Sequence, residues 1–258
     1  MTLALHHLDT GGDGTPLVVI HGLLGSADNW RSHIKQWQER RRVIGLDLRN
    51  HGRSPHAPGM AYADMARDVL ALLDRLEVPR AHVLGHSMGG KVAMTLARLA
   101  PERLASLIVV DVAPQAYGHG HDDELGALRR VREARPAGRR EADALMAERI
   151  DNRTTRLFLA TNLVRDEGAM TVRVGLDEIR DGYAAISGAP DGEGSFAGPT
   201  LVVRGGRSPY VTDAMLSGLH EVLPQAELAT LDAGHWLHAE RPEEFQGVVN
   251  DFLARQAD

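Results

Sequence analysis

The 258-residue chain contains no cysteine. That excludes disulfides, thiolate metal sites and a cysteine nucleophile. Lys35 and Lys91 are the only lysines, and the net charge is -6, so no basic surface for nucleic acid is expected. No apolar run approaches the ~18 residues that a membrane helix needs. Met1 to Gly12 lacks the apolar core of a signal peptide, and a cytoplasmic protein is expected. Internal repeats and low-complexity tails are missing as well.

What is present is enough apolar sequence (43%) for one sizeable α/β core. Candidate strands are Leu3 to Leu8, Leu17 to Ile20, Val43 to Leu48, Ala81 to Leu84, Leu107 to Val112, Thr200 to Val203 and Ala226 to Leu231. Most are continuous apolar runs, as expected of strands covered on both faces. Helical patterns alternate with them, at Asn29 to Glu39, Tyr62 to Leu76 and Phe245 to Leu253. This order predicts a mainly parallel sheet flanked by helices.

From Pro114 to Gly198 the alternation fails and no strand is expected. A stretch of roughly 80 residues is too long for an ordinary loop. Apolar-periodic segments such as Leu125-Leu128-Val131 and Leu157-Phe158 mark it as a helical cap over the carboxyl edge of the sheet. The expected division is a core at 1–113 and 199–258 with the cap, 114–198, inserted after the strand ending near Asp111.

Gly85-His86-Ser87-Met88-Gly89 directly follows the strand Ala81 to Leu84 and precedes a small-residue helix. A serine on such a sharp strand-to-helix turn has its hydroxyl pushed out at the sheet edge. The helix behind it aims its amides at any oxygen that turns negative there. Ser87 is therefore the candidate nucleophile. It needs a base to take its proton, and among 13 histidines His235 follows the last strand across Ala233-Gly234. His238 is the competitor; His21, His51 and His86 are read as structural members of loops around the site.

The expected oxyanion donors are the backbone N–H groups of Met88, next to the nucleophile, and Leu23, in the loop after the strand Leu17 to Ile20. The acid breaks the expected pattern. Ser208 stands in the loop after Thr200 to Val203, where an aspartate is usual, whereas Asp111 ends the preceding strand. Asp111 is the expected orienting acid, Ser208 a further hydrogen bond in its network, and Asp213 an outside candidate. Leu24, Leu157, Phe158, Tyr210 and Trp236 are candidates to line an acyl pocket, or equally to pack the core. The polar run Asp47 to Ser54 is read as a self-bonded loop. Gly118-His119-Gly120-His121-Asp122-Asp123 is read as a solvated turn, not a metal site.

His21-Gly22, Asp47-x-Arg49-x-x-Gly52-x-Ser54, Gly85 to Lys91 and Gly234-His235-x-x-x-x-Glu240-x-Pro242 together resemble the α/β-hydrolase superfamily. Arg49-Asn50-His51-Gly52, Asp111-Val112-Ala113-Pro114, Gly206-x-Ser208-Pro209-Tyr210-Val211 and Gly234-His235-Trp236-x-His238 resemble the YbfF-type bacterial esterases. The resemblance is weakest in the cap. It implies a Ser87, His235 and Asp111 set with Ser208 nearby, no metal or organic cofactor, and activity on small carboxylic esters that extends to acyl-CoA thioesters. A carbon–carbon bond hydrolase or a perhydrolase on the same residues is the alternative enzyme, and a non-catalytic small-ligand receptor the alternative of another class. Dehalogenase and epoxide-opening chemistry is disfavoured, because those enzymes carry a carboxylate where this chain has Ser87.

Overall fold

A computed structural model describes residues 2–118 and 120–256. Seven strands form one sheet in the order β1-β3-β2-β4-β5-β8-β9. They are β1 (His7–Asp9), β2 (Leu17–Ile20), β3 (Val43–Leu46), β4 (Ala81–His86), β5 (Leu104–Val110), β8 (Thr200–Gly205) and β9 (Ala226–Leu231). All pairings are parallel except that of β1 with β3. Helices α1 (Arg31–Trp37), α2 (Tyr62–Arg75), α3 (Met88–Leu99), α9 (Leu216–Val222), α10 (Leu237–Glu240) and α11 (Pro242–Ala254) accompany the sheet.

Strand β2 shows why both faces are covered. Val18 and Ile20 enter an apolar cluster with Val69, Leu73 and Leu96 of α2 and α3. Leu17 and Val19 enter a second cluster with Trp30, Trp37 and Phe245 from the α1 and α11 side. Successive side chains point to opposite faces, so a strand between two helix layers must be apolar at every position.

Between β5 and β8 lie α4 (Asp122–Ala134), α5 (Arg139–Ala147), α6 (Arg153–Leu159), α7 (Leu176–Asp181) and α8 (Tyr183–Ser187). The same segment holds an antiparallel hairpin of β6 (Leu163–Asp166) and β7 (Ala169–Val172), which corrects the expectation of a strand-free stretch. Its turn residues Glu167 and Gly168 have φ of 46° and 83°, as a tight two-residue hairpin turn requires.

The expected first strand, Leu3 to Leu8, is also corrected: only His7–Asp9 joins the ladder. Side chains bind the backbone before it, with Leu3 N donating to Asp68 Oδ1 (2.8 Å) and His6 N to Ser54 Oγ (2.9 Å). The expected strand to Val112 stops at Val110, because Asp111 turns to φ 51°.

Candidate active site

The turn at Ser87 follows from the small residues around it. A Cβ on Gly85 would strike the backbone of Gly89, and one on Gly89 would strike the carbonyls of Ile20 and His21. With both sites bare, β4 passes into α3 through Ser87 at φ 53° and ψ -119°, a conformation that L side chains rarely adopt. Ser87 N donates to Val110 O (2.9 Å), and Gly90 N to Ser87 O (2.8 Å). The hydroxyl therefore stands free of its own backbone at the edge of the sheet.

His235 Nε2 lies 3.0 Å from Ser87 Oγ, and His235 Nδ1 lies 2.7 Å from Asp111 Oδ2. A carboxylate only accepts, so Nδ1 carries the proton and donates it to Asp111. Nε2 is then the acceptor facing the serine hydroxyl. Asp111 is fully buried. Its carboxylate also accepts from Gly205 N (2.9 Å) and from Ser208 Oγ (2.5 Å). Three donors thus answer a charge that would be costly to bury alone. The structure brings Ser87, His235, Asp111 and Ser208 into one chain of hydrogen bonds. Asp213 stands elsewhere, exposed and paired with Arg204 (2.7 Å).

Met88 opens α3, so its amide has no carbonyl one turn earlier to receive it. The Leu23 loop lies against the nucleophile: a Cβ on Gly22 would sit 3.3 Å from Ser87 Cβ. Gly25 N donates to Gly22 O (3.0 Å), closing a turn around Leu23 and Leu24. His21 braces that turn. Its Nδ1–H donates to Gly22 O (2.7 Å), and its Nε2 accepts from Leu48 N (3.0 Å). Burial lowers its affinity for a second proton.

His86 donates from Nε2 to the backbone carbonyl of His235 (2.9 Å). Burial, followed by the charges His238 and His235 could carry, holds its pKa well below 6.5. His235, and not the competitor His238, is the histidine that contacts Ser87 Oγ. His238 is buried against Trp30, with rings 4.4 Å apart, and burial pushes its pKa down to about 3. His51 donates to Arg49 O (2.9 Å), and burial lowers its pKa to about 3 as well. Asp47 in the same loop accepts from Ala27 N (2.8 Å) and Arg53 N (2.8 Å). A side chain on Gly52 would overrun the Asp47 carboxylate. The run is a self-bonded scaffold.

Ser87 and His235 open on a cavity of about 830 Å³. Leu23, Leu24, Leu157, Phe158, Tyr210 and Trp236 all line it. Tyr210 packs on the His235 ring at 4.2 Å, and Phe158 of α6 meets Trp236 at 5.5 Å. Polar residues of the segment between β5 and β8 also line the cavity, among them Glu124, Asn152, Thr154 and Thr155, which the sequence did not single out. Buried Asn162 was missed too; its Nδ2 donates to Leu24 O (2.8 Å), tying the segment between β5 and β8 to the loop after β2. A lone asparagine carries no spacing signal for such a role, whereas Asn152 was readable as the cap of α6, accepting from Thr155 N (3.1 Å). His119 of the glycine–histidine turn lies outside the described residues. His121 meets Tyr183 Oη through Nδ1 (2.5 Å). Among the described residues no group of three His, Asp or Glu is placed to hold a metal ion, and no helix is long and apolar enough to cross a membrane.

A serine on a strand-to-helix elbow, facing a histidine and an aspartate from later strand ends of a parallel sheet, defines a class of hydrolases. The family model described as alpha/beta hydrolase fold matches residues 15–242, and the chain belongs to that family. It is 34% identical to Esterase YbfF of Escherichia coli (strain K12), over 93% of this chain and 94% of that protein. It is 35% identical to the sn-1-specific diacylglycerol lipase of Danio rerio, over 95% of this chain and 80% of the relative. A solved marine microorganism esterase superposes with a TM-score of 0.94 at 34% identity, covering 97% of this chain and all (100%) of that one.

Proposed function

We propose that the protein hydrolyses small carboxylic esters through an acyl-enzyme on Ser87. The observation that carries the reading is the unbroken hydrogen-bonded chain from Ser87 through His235 to Asp111, open at its serine end to the cavity. The esterase and lipase names of the relatives support it.

Ser87 Oγ attacks the ester carbonyl while His235 Nε2 accepts its proton. Asp111 stabilises the imidazolium and holds its tautomer without taking the proton. The tetrahedral oxyanion rests on the Leu23 and Met88 amides. His235 then gives its proton to the leaving alcohol. Water repeats the sequence on the acyl-enzyme, releasing the carboxylic acid and restoring Ser87. Thioesters follow the same path with a thiol as leaving group. Apolar Leu157, Phe158 and Trp236 offer an acyl chain a desolvated wall. Residues 114–198, as a cap inserted in the core, set which acyl and alcohol groups fit.

The test is hydrolysis of p-nitrophenyl esters, acetate to palmitate, by the wild-type protein and Ser87→Ala in parallel. Turnover is expected from the former, with a loss on the order of 10⁴-fold or more in the latter. A variant that keeps its rate, or a wild type inert on every ester, refutes the reading.

A further inference from the structure

Leu23 and Leu24 form the middle of the turn that Gly25 N closes on Gly22 O. Leu24 stands at φ 60°, a left-handed angle that such a turn position usually gives to glycine. A leucine held there needs support from outside the turn. Two side chains bind this backbone. His21 Nδ1–H donates to Gly22 O (2.7 Å), and Asn162 Nδ2 donates to Leu24 O (2.8 Å) from 138 residues away in the chain.

Asn162 ends the short 3-10 helix Ala160–Asn162 that follows α6, and it is 1% exposed. Its own carbonyl accepts from Arg173 N, just past β7 (3.0 Å). Its Nδ2 makes a second, longer contact with Leu159 O (3.4 Å). Both side-chain partners are carbonyls, so only the NH2 group of the amide can face them.

A peptide unit is planar, with its C=O and N–H pointing opposite ways. Asn162 grips the carbonyl of the Leu24–Gly25 unit. The N–H of that unit belongs to Gly25 and donates to Gly22 O (3.0 Å). Gly22 O belongs in turn to the Gly22–Leu23 unit, whose N–H is the proposed oxyanion donor. Donors and acceptors thus run head to tail from Asn162 to the Leu23 amide. Each bond in such a chain polarises the next.

We infer that Asn162 is a positioning residue for the hydrolysis: through this relay it aims the Leu23 N–H at the developing oxyanion and strengthens it as a donor. The inference rests on the esterase reading and adds to it a residue outside the cavity lining. The same contact ties the loop after β2 to α6, which carries the lining residues Leu157 and Phe158.

The test is Asn162→Leu, which keeps the approximate volume and removes the donor, with Asn162→Ala as a variant that inserts no bulk. Hydrolysis of p-nitrophenyl butyrate is read as kcat and KM of the folded protein. Alongside it stands the inhibition constant of butylboronic acid, whose tetrahedral adduct on Ser87 carries a negative charge as the intermediate does. Removing an oxyanion donor outright costs about 10²–10³-fold in kcat. A misaimed and less polarised donor should cost about tenfold or more. KM should stay within about twofold, and boronate binding should weaken in proportion to kcat. A role in stability alone would lower the urea midpoint and leave kcat and boronate binding at their wild-type values; that result overturns the inference. So does a loss confined to KM, or a fall in kcat with boronate binding intact. If leucine prevents folding, the alanine variant is read by the same criteria. Active wild type with unaffected variants removes this inference alone. A wild type inert on every p-nitrophenyl ester removes the esterase reading first, and this inference with it.

Discussion

At the scale of single residues, the site turns on how one buried carboxylate is held. Asp111 accepts from Gly205 N, Ser208 Oγ and His235 Nδ1 at once, in a left-handed backbone conformation. Only the His235 contact fixes a tautomer. Asp111→Asn presents a donor there and reverses the imidazole, so kcat should fall on the order of 10⁴-fold. Ser208→Ala removes one hydrogen bond to a charged group, worth ~1.5 kcal/mol, and should cost about tenfold. Equal losses in the two variants, read as kcat on p-nitrophenyl butyrate, would contradict this division of roles. The positions of Ser87 and His235 were legible because each follows a strand with a glycine beside it. Asp111 was legible only as a polar residue ending an apolar strand, since the more usual slot is filled by Ser208. Glu124 and Asn162 were not legible. Their placement depends on how the helices between β5 and β8 settle on the rest of the chain, which no local spacing encodes.

Among the elements, the central strands were readable because burial on two faces leaves an uninterrupted apolar run. β2 and β9 have the bounds expected of them. The hairpin of β6 and β7 was missed because it is short and largely exposed on one face, although Glu167-Gly168 between two alternating runs was its signal. Helix α3 carries a second device besides the elbow. One turn after Ser87, Lys91 is buried to 2% exposure. It donates to Gly188 O at the end of α8 and sits over the Tyr117 ring at 4.7 Å. Tyr62 Oη donates to Ile186 O (2.5 Å) in the same joint.

Burial pushes the Lys91 pKa down from 10.5 to about 8. Between those two values the unfolded chain binds the proton that the folded one has released, so this residue's contribution to stability rises with pH across that window. Below about pH 8 the charge is present in both states and the contribution is flat. Urea unfolding at the two ends of the window should therefore show wild type gaining on Lys91→Met toward high pH. A stability difference that does not change with pH would contradict the burial of this amine.

On the scale of the whole molecule, the arrangement is one seven-stranded sheet between two layers of helices, with α4 to α8 inserted between β5 and β8. The core supplies Ser87, His235, Asp111 and both proposed oxyanion amides, all from strand ends or the loops that follow them. The segment between β5 and β8 supplies the far wall of the cavity, through residues such as Leu157, Phe158 and Glu124. This separation explains why the residues that meet around Ser87 were readable from motifs and the far wall of the cavity was not. Chemistry sits on short loops between regular elements, whereas substrate fit depends on surfaces assembled from residues far apart in the chain. The central claim is that Ser87 is the nucleophile, and its most direct test is covalent trapping. Incubation with diethyl p-nitrophenyl phosphate followed by peptide mass spectrometry should place one diethylphosphoryl group on Ser87, with activity lost in proportion to its occupancy. Inactivation with the group on another residue, or full activity with Ser87 fully modified, would contradict the account.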